Sequence, residues 1–66
     1  PNPVAQQFSI SEMSYKTVIY SISGQKVMTS TEKRNRFQVE FLPSGIYFIQ
    51  FELANNRTKT MYFLKN

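Results

Sequence analysis

An all-β fold follows from three observations on this 66-residue sequence. Apolar and polar residues alternate in most runs, as they do in half-buried strands. Turn residues punctuate those runs about every 8–12 positions, the spacing of an antiparallel sandwich or small barrel. No stretch carries a convincing helical period.

The first element opens on Pro1-Asn2-Pro3. Proline fixes φ and pushes its predecessor toward β space, so an extended or turn conformation is expected there and a helix start is not. Over residues 6–12, Phe8 and Ile10 alternate with Ser9 and Ser11, which predicts a strand. Ser14 and Tyr15 fall in the connection that follows. Residues 16–22 make the next strand, with Val18, Tyr20 and Ile22 on one face and Thr17, Ile19 and Ser21 on the other. Ser23-Gly24-Gln25 turns the chain, and Gly24 suits a tight turn because glycine tolerates positive φ. The returning strand places Val27 with Thr29 and Met28 with Ser30, completing a β-hairpin.

The charged cluster Glu32-Lys33-Arg34-Asn35-Arg36 is predicted to be a solvated hairpin loop. Beyond it Phe37, Val39 and Phe41 alternate with Gln38 and Glu40, the cleanest binary pattern in the chain. Leu42-Pro43-Ser44-Gly45 is the second strong turn. It launches a strand in which Tyr47, Ile49, Phe51 and Leu53 share a face opposite Gln50 and Glu52. Asn55-Asn56 closes that strand with residues that accept left-handed backbone geometry. The last strand is Thr58 to Lys65, where Met61, Tyr62, Phe63 and Leu64 are apolar in succession. Such a run predicts burial on both faces, or an exposed face that something else covers. Six strands result, with a short seventh expected around Pro3 to Ala5.

A chain of this length makes one small domain at most, near the lower limit for a stable single core. Large rings supply that core: Phe8, Phe37, Phe41, Tyr47, Phe48, Phe51, Tyr62 and Phe63. No segment approaches the roughly 20 apolar residues of a membrane-spanning helix. No basic n-region or apolar stretch follows Pro1-Asn2-Pro3, so either a targeting segment has been removed or the chain is a fragment of something longer, and a fragment is expected. Without cysteine there is no disulfide or thiolate chemistry, and without histidine the usual base, proton shuttle and zinc ligand are missing.

The remaining residues support little catalysis. Four glutamates are the only acids, and Glu40 and Glu52 take the outward phase of their strands. A paired-carboxylate site needs two acids converging on one cleft, and a nucleophilic serine needs a base and an oxyanion hole. No metal site or phosphate-cradling loop is legible, since Gly24 and Gly45 are lone glycines. No enzyme and no cofactor is expected. Asn56-Arg57-Thr58 matches a glycosylation sequon, a motif too short to carry weight. The net charge of +4 and pI of about 9.7 suit a phosphate-rich partner, yet the cations are dispersed. A basic β-domain that stacks single-stranded nucleic acid needs outward aromatics interleaved with Lys and Arg. Phe37, Phe41, Tyr47 and Phe51 are in phase with aliphatics instead, and Phe48 and Tyr62 are the two candidates for the outward phase. No nucleic-acid partner is expected.

Taken in order, four motifs resemble a known family. They are Pro1-Asn2-Pro3, then Val18-Ile19-Tyr20-Ser21-Ile22-Ser23-Gly24-Gln25-Lys26-Val27, then Leu42-Pro43-Ser44-Gly45-Ile46-Tyr47-Phe48-Ile49, and a basic terminal strand ending Phe63-Leu64-Lys65-Asn66. In order and spacing the chain resembles the type A C-terminal sorting domain of the type IX (Por) secretion system, over essentially all of residues 1–66. The resemblance implies an Ig-like antiparallel β-sandwich of about seven short strands, standing at the end of a larger cargo. It implies an address: the cargo passes through the periplasm, and the outer-membrane machinery recognises this domain. The cargo then reaches the surface or the medium of a Gram-negative, Bacteroidetes-type cell. A sortase-like peptidase usually removes the domain and attaches the cargo to anionic lipopolysaccharide, while some members keep it.

Carried over residue by residue, Pro1, Asn2 and Pro3 match the opening motif of that family. Gly24 and Lys26 match its second motif, Gly45 and Tyr47 its third, and Lys65 the basic terminus needed for export. Cleavage is expected before Pro1, outside this chain. Ser21 stands where the family often has aspartate, and Asn66 follows the terminal lysine. Gly24 and Gly45 are expected to serve turn geometry and Tyr47 the core. The surface that is read is expected on the last strand, at Tyr62, Phe63, Leu64 and Lys65. An edge of that kind also admits a homodimer by strand pairing or swapping. A plain structural or adhesive Ig-like module of a surface protein is the first alternative function, and the small basic β-domain that binds single-stranded nucleic acid ranks behind it.

Overall fold

The computed structural model describes residues 6–66, with Phe8 described by its backbone alone. The expected core role of Phe8 and the short strand around residues 3–5 lie outside what is described. Six strands follow one another: β1 (Gln7–Ser14), β2 (Lys16–Ser21), β3 (Lys26–Ser30), β4 (Arg34–Gln38), β5 (Gly45–Glu52) and β6 (Thr58–Lys65). A 3-10 turn, Ala54–Asn56, interrupts them between β5 and β6. All pairings are antiparallel. They build a four-stranded sheet in the order β3-β2-β5-β6 and a two-stranded sheet of β1 and β4. The fold is all-β and sandwich-like, as the alternation predicts.

The two sheets meet through one core. Ile19, Phe37, Val39, Leu42, Tyr47, Ile49, Phe51, Leu53 and Phe63 form its buried cluster. The Phe37 ring of β4 meets the Phe51 ring of β5 at 5.6 Å between centroids, tilted by 48°, which joins one sheet to the other. β5 behaves as the pattern requires: Tyr47, Ile49, Phe51 and the following Leu53 are buried, while Gln50 and Glu52 are exposed.

β2 faces the core with Thr17 and Ile19, both fully buried, so Val18 and Tyr20 take the outward face. Ile22 belongs to neither, because the strand ends at Ser21 and Ile22 is 68% exposed in the turn. The β2–β3 hairpin closes with Ser21 N donating to Gln25 O at 2.8 Å and Gly24 N to Ser21 O at 2.9 Å. Gly24 sits at φ +89° with open space where a Cβ would be, so backbone conformation alone selects glycine there.

Three features differ from expectation. Of the rings expected in the core, Phe41, Phe48 and Tyr62 are 61%, 40% and 65% exposed and are not core, the last two because they take the outward phase of β5 and β6. β4 ends at Gln38, and Leu42 N donates to Val39 O at 3.0 Å, a turn that swings Leu42 inward in place of Phe41. The cluster at 32–36 is not a hairpin loop, because Arg34, Asn35 and Arg36 are strand residues of β4. β3 and β4 lie in different sheets, so the chain crosses between them rather than doubling back. Third, Ser14 ends β1 and is fully buried, where a plain connection was expected. Its hydroxyl donates to Lys16 O at 2.8 Å and lies 2.9 Å from Thr17 Oγ1, which satisfies both hydroxyls at the corner between sheets.

β5 and β6 pair along eight positions, from Gly45↔Lys65 to Glu52↔Thr58. Asn55 and Asn56 take φ +62° and +59°, the left-handed geometry expected of them, so the chain can reverse into β6. The apolar run of β6 is neither buried on both faces nor uniform: Phe63 and Lys65 point inward, Tyr62 and Leu64 outward.

Candidate recognition surface

The residues singled out by motif fall into three groups. Gly24 and Gly45 hold turns. Gly45, at φ +149° with no neighbour within 4 Å of a Cβ, starts β5 directly after Pro43-Ser44. The Tyr47 hydroxyl reaches back to donate to the Pro43 carbonyl at 2.7 Å, tying that turn to its strand.

Tyr47, Phe63 and Lys65 are inside. Tyr47 and Phe63 are cross-strand partners whose rings stack at 5.5 Å with planes 23° apart. Lys65 continues the inward phase, and only 6% of it is exposed. Its Nζ donates to the Leu42 carbonyl and to the Asn66 carbonyl, each at 3.1 Å. A buried ammonium requires such acceptors, since removing it from water is otherwise costly. The result fastens the end of β6 to the turn before β5.

Lys26, Tyr62 and Leu64 are outside. Lys26 is the exposed first residue of β3, while Tyr62 is 65% and Leu64 43% exposed on β6. Pro1, Asn2 and Pro3 lie outside the described residues.

Sequence reasoning did not align the row that these residues join. Across the four-stranded sheet Lys26 pairs with Tyr20, Tyr20 with Phe48, and Phe48 with Tyr62. Partners in an antiparallel ladder project from the same face. One row of rings therefore runs Tyr20, Phe48, Tyr62 across β2, β5 and β6, with Ile46 and Leu64 paired beside it, and Lys26 pairs with Tyr20 at its β3 end across a register shift between Ile19 and Tyr20. Phe48 is 40% and Ile46 42% exposed, and Tyr20 is half-buried. The signal was available as the complement of the inward set: once Tyr47, Ile49 and Phe51 are core, Ile46 and Phe48 must face out. The opposite outer face, on β1 and β4, is polar. There Gln38 Nε2 donates to Gln7 Oε1 at 2.8 Å, and Ser9 stands across from Arg36.

The acids are scattered over the surface. Glu52 lies 4.0 Å from Lys16, Glu12 pairs with Arg57, and Glu32 pairs with Arg34. Among the described residues no three His, Cys, Asp or Glu side chains come together. A depression of about 460 Å³ holds Glu52 and Arg57 against Asn55 and Asn56, and a cleft of about 190 Å³ holds Glu12 and Lys59 beside Leu53 and Met61. Neither brings two carboxylates to one point, the arrangement that acid–base hydrolysis needs.

The family model of the secretion system C-terminal sorting domain matches residues 1–65 of the chain. Comparison with curated proteins and with solved structures gives no match. The family match takes in every strand described above. The chain belongs to the secretion system C-terminal sorting domain family, the sorting signal of the type IX secretion system.

Proposed function

We propose that this chain works as a folded, non-catalytic address at the end of a larger cargo, residues 1–66 forming one sorting domain. Family membership makes it a domain that the type IX machinery recognises, and its cargo a protein translocated across the outer membrane. The observation that carries the finer reading is the family match over the full span of the fold, 1–65. The cargo waits in the periplasm, and recognition of the domain sends it to the cell surface or the medium. A sortase-like peptidase then cuts ahead of Pro1, and the cargo is joined to anionic lipopolysaccharide. Pro1, Asn2, Pro3, Lys26, Tyr62 and Leu64 act as contacts in this scheme. Gly24, Gly45, Tyr47, Phe63 and Lys65 act through the fold that presents them. Association of two copies by edge-strand pairing or swapping belongs to the same scheme, and sedimentation at increasing concentration measures it.

The test is delivery of a reporter that carries a periplasmic export signal at its start and residues 1–66 at its end. In cells with an intact type IX system the reporter is expected on the surface or in the medium. In cells lacking the outer-membrane translocon it is expected to stay in the periplasm. Retention in both cells, or delivery in both, contradicts the proposal.

A further inference from the structure

The outward phase of the four-stranded sheet is unusual for a small antiparallel domain, where one face packs on the core and the other is solvated and polar. The β1–β4 face of this same molecule follows that rule with glutamines, serine and arginine. On the four-stranded sheet, Phe48 and Tyr62 stand exposed in adjacent strands with Tyr20 beside them and Ile46 flanking. Exposed rings grouped in one row lose water-ordered surface when covered, and aromatic residues of this kind anchor protein interfaces.

We propose that this sheet face is the docking surface for the secretion machinery, and that its partner there is a folded protein presenting an apolar patch edged by a carboxylate. The assignment rests on the sorting function given above. Two observations choose that occupant. The first is charge. Lys26 stands at the end of the aromatic row, exposed, and no carboxylate lies within ion-pairing distance of it among the described residues. The acid on the same face, Glu52, lies beside Lys16. A second copy of the chain laid face to face therefore brings no spare carboxylate to Lys26, whereas an acid-edged partner does.

The second observation is area. The strands β2, β3, β5 and β6 are six, five, eight and eight residues long, and at ~3.3 Å per residue and ~4.8 Å between strands they present a face of roughly 430 Å². A standard stable interface needs about 800 Å² from each partner. Flat pairing of two copies falls short of that, while a short-lived contact with a receiving protein does not require it. An address must also be released once read, which suits a contact of this size.

The experiment uses the reporter fusion of residues 1–66 in type IX-competent cells, with the 66-residue chain as its folding control. The double variant Phe48→Ser, Tyr62→Ser is expected to keep the parent's cooperative melt and to lower delivery by about tenfold or more, since central aromatic anchors carry that much of an interface. Lys26→Glu is expected to lower delivery with the fold intact. Gln7→Ser with Arg36→Ser, on the polar outer face, is expected to leave delivery unchanged. Delivery at the parent level from either folded sheet-face variant overturns the proposal while the sorting function stands. So does equal loss from the polar-face variant. A chain that sediments as a dimer dissolved by the double variant, or that binds vesicles of anionic lipid through these rings, also overturns it by giving the face another occupant. A parent fusion that is not delivered at all overturns the sorting function itself.

Discussion

Lys65 shows how a single side chain can look like a contact in sequence and be an internal fastener in structure. It lies in a basic terminus, so exposure is the natural expectation. Its position two residues after Phe63 puts it on the inward phase instead, where the side chain is buried and the ammonium finds the Leu42 carbonyl. That carbonyl belongs to the segment entering Pro43-Ser44-Gly45, so the bond closes the last strand onto the turn that starts β5. Lys65→Met keeps most of the stem and removes the donor. A charge-assisted hydrogen bond of this kind contributes about 1–3 kcal/mol. In a domain this small each kcal/mol moves the melting temperature by about 4–8 °C, so a clear drop is expected in a thermal melt. A variant that melts with the parent would show that the Nζ bond contributes nothing. Gly45 illustrates the opposite case: its need is set by φ +149° alone, because nothing crowds its Cβ position.

At the scale of elements, β6 divides its work by alternate residues. Phe63 stacks on Tyr47 and closes the core, while Tyr62, one position earlier, stands in solvent. Truncating a buried aromatic costs about 3–5 kcal/mol, whereas an exposed surface change stays within about 0.5 kcal/mol. Phe63→Ala is therefore expected to leave little folded chain, and Tyr62→Ser to unfold at the parent's denaturant midpoint. Urea titration of the two variants checks this, and similar midpoints would refute the phase assigned to the strand. Much of this was readable from sequence. β5 announces its core face by strict alternation, the two asparagines announce the reversal, and β6 begins and ends where predicted. The errors have physical causes. The pattern Phe37, Val39, Phe41 continues past the end of the strand, and periodicity cannot report that a turn at Val39 substitutes Leu42 for Phe41. Charge in the 32–36 segment suggested a loop, but a two-stranded sheet with one solvated face accepts Arg36 readily. The aromatic row stayed hidden because Tyr20 joins Phe48 only through the register between β2 and β5, which are distant in sequence and whose alignment no local pattern encodes.

The whole molecule is two-sided: a shared core with a polar outer face on the β1–β4 sheet and a ring-bearing outer face on the four-stranded sheet. With only 66 residues the core has little margin, and single interior losses are enough to unfold it. On the function proposed above, such an address is a surface and not a string of residues. That separates two kinds of loss: interior variants abolish the surface by unfolding it, and exterior variants alter it with the fold intact. On that proposed function, the machinery reads the folded form. The measurement that tests it most directly is surface delivery of the reporter fusion carrying Phe51→Asp, scored per molecule of intact fusion in type IX-competent cells. Phe51 is fully buried at the junction of the two sheets, and an unpaired charge there is expected to unfold the domain. Delivery is expected to fall to the level seen in cells without the translocon. Delivery at the parent rate from a domain that circular dichroism shows to be unfolded would contradict the account and make the signal a linear one.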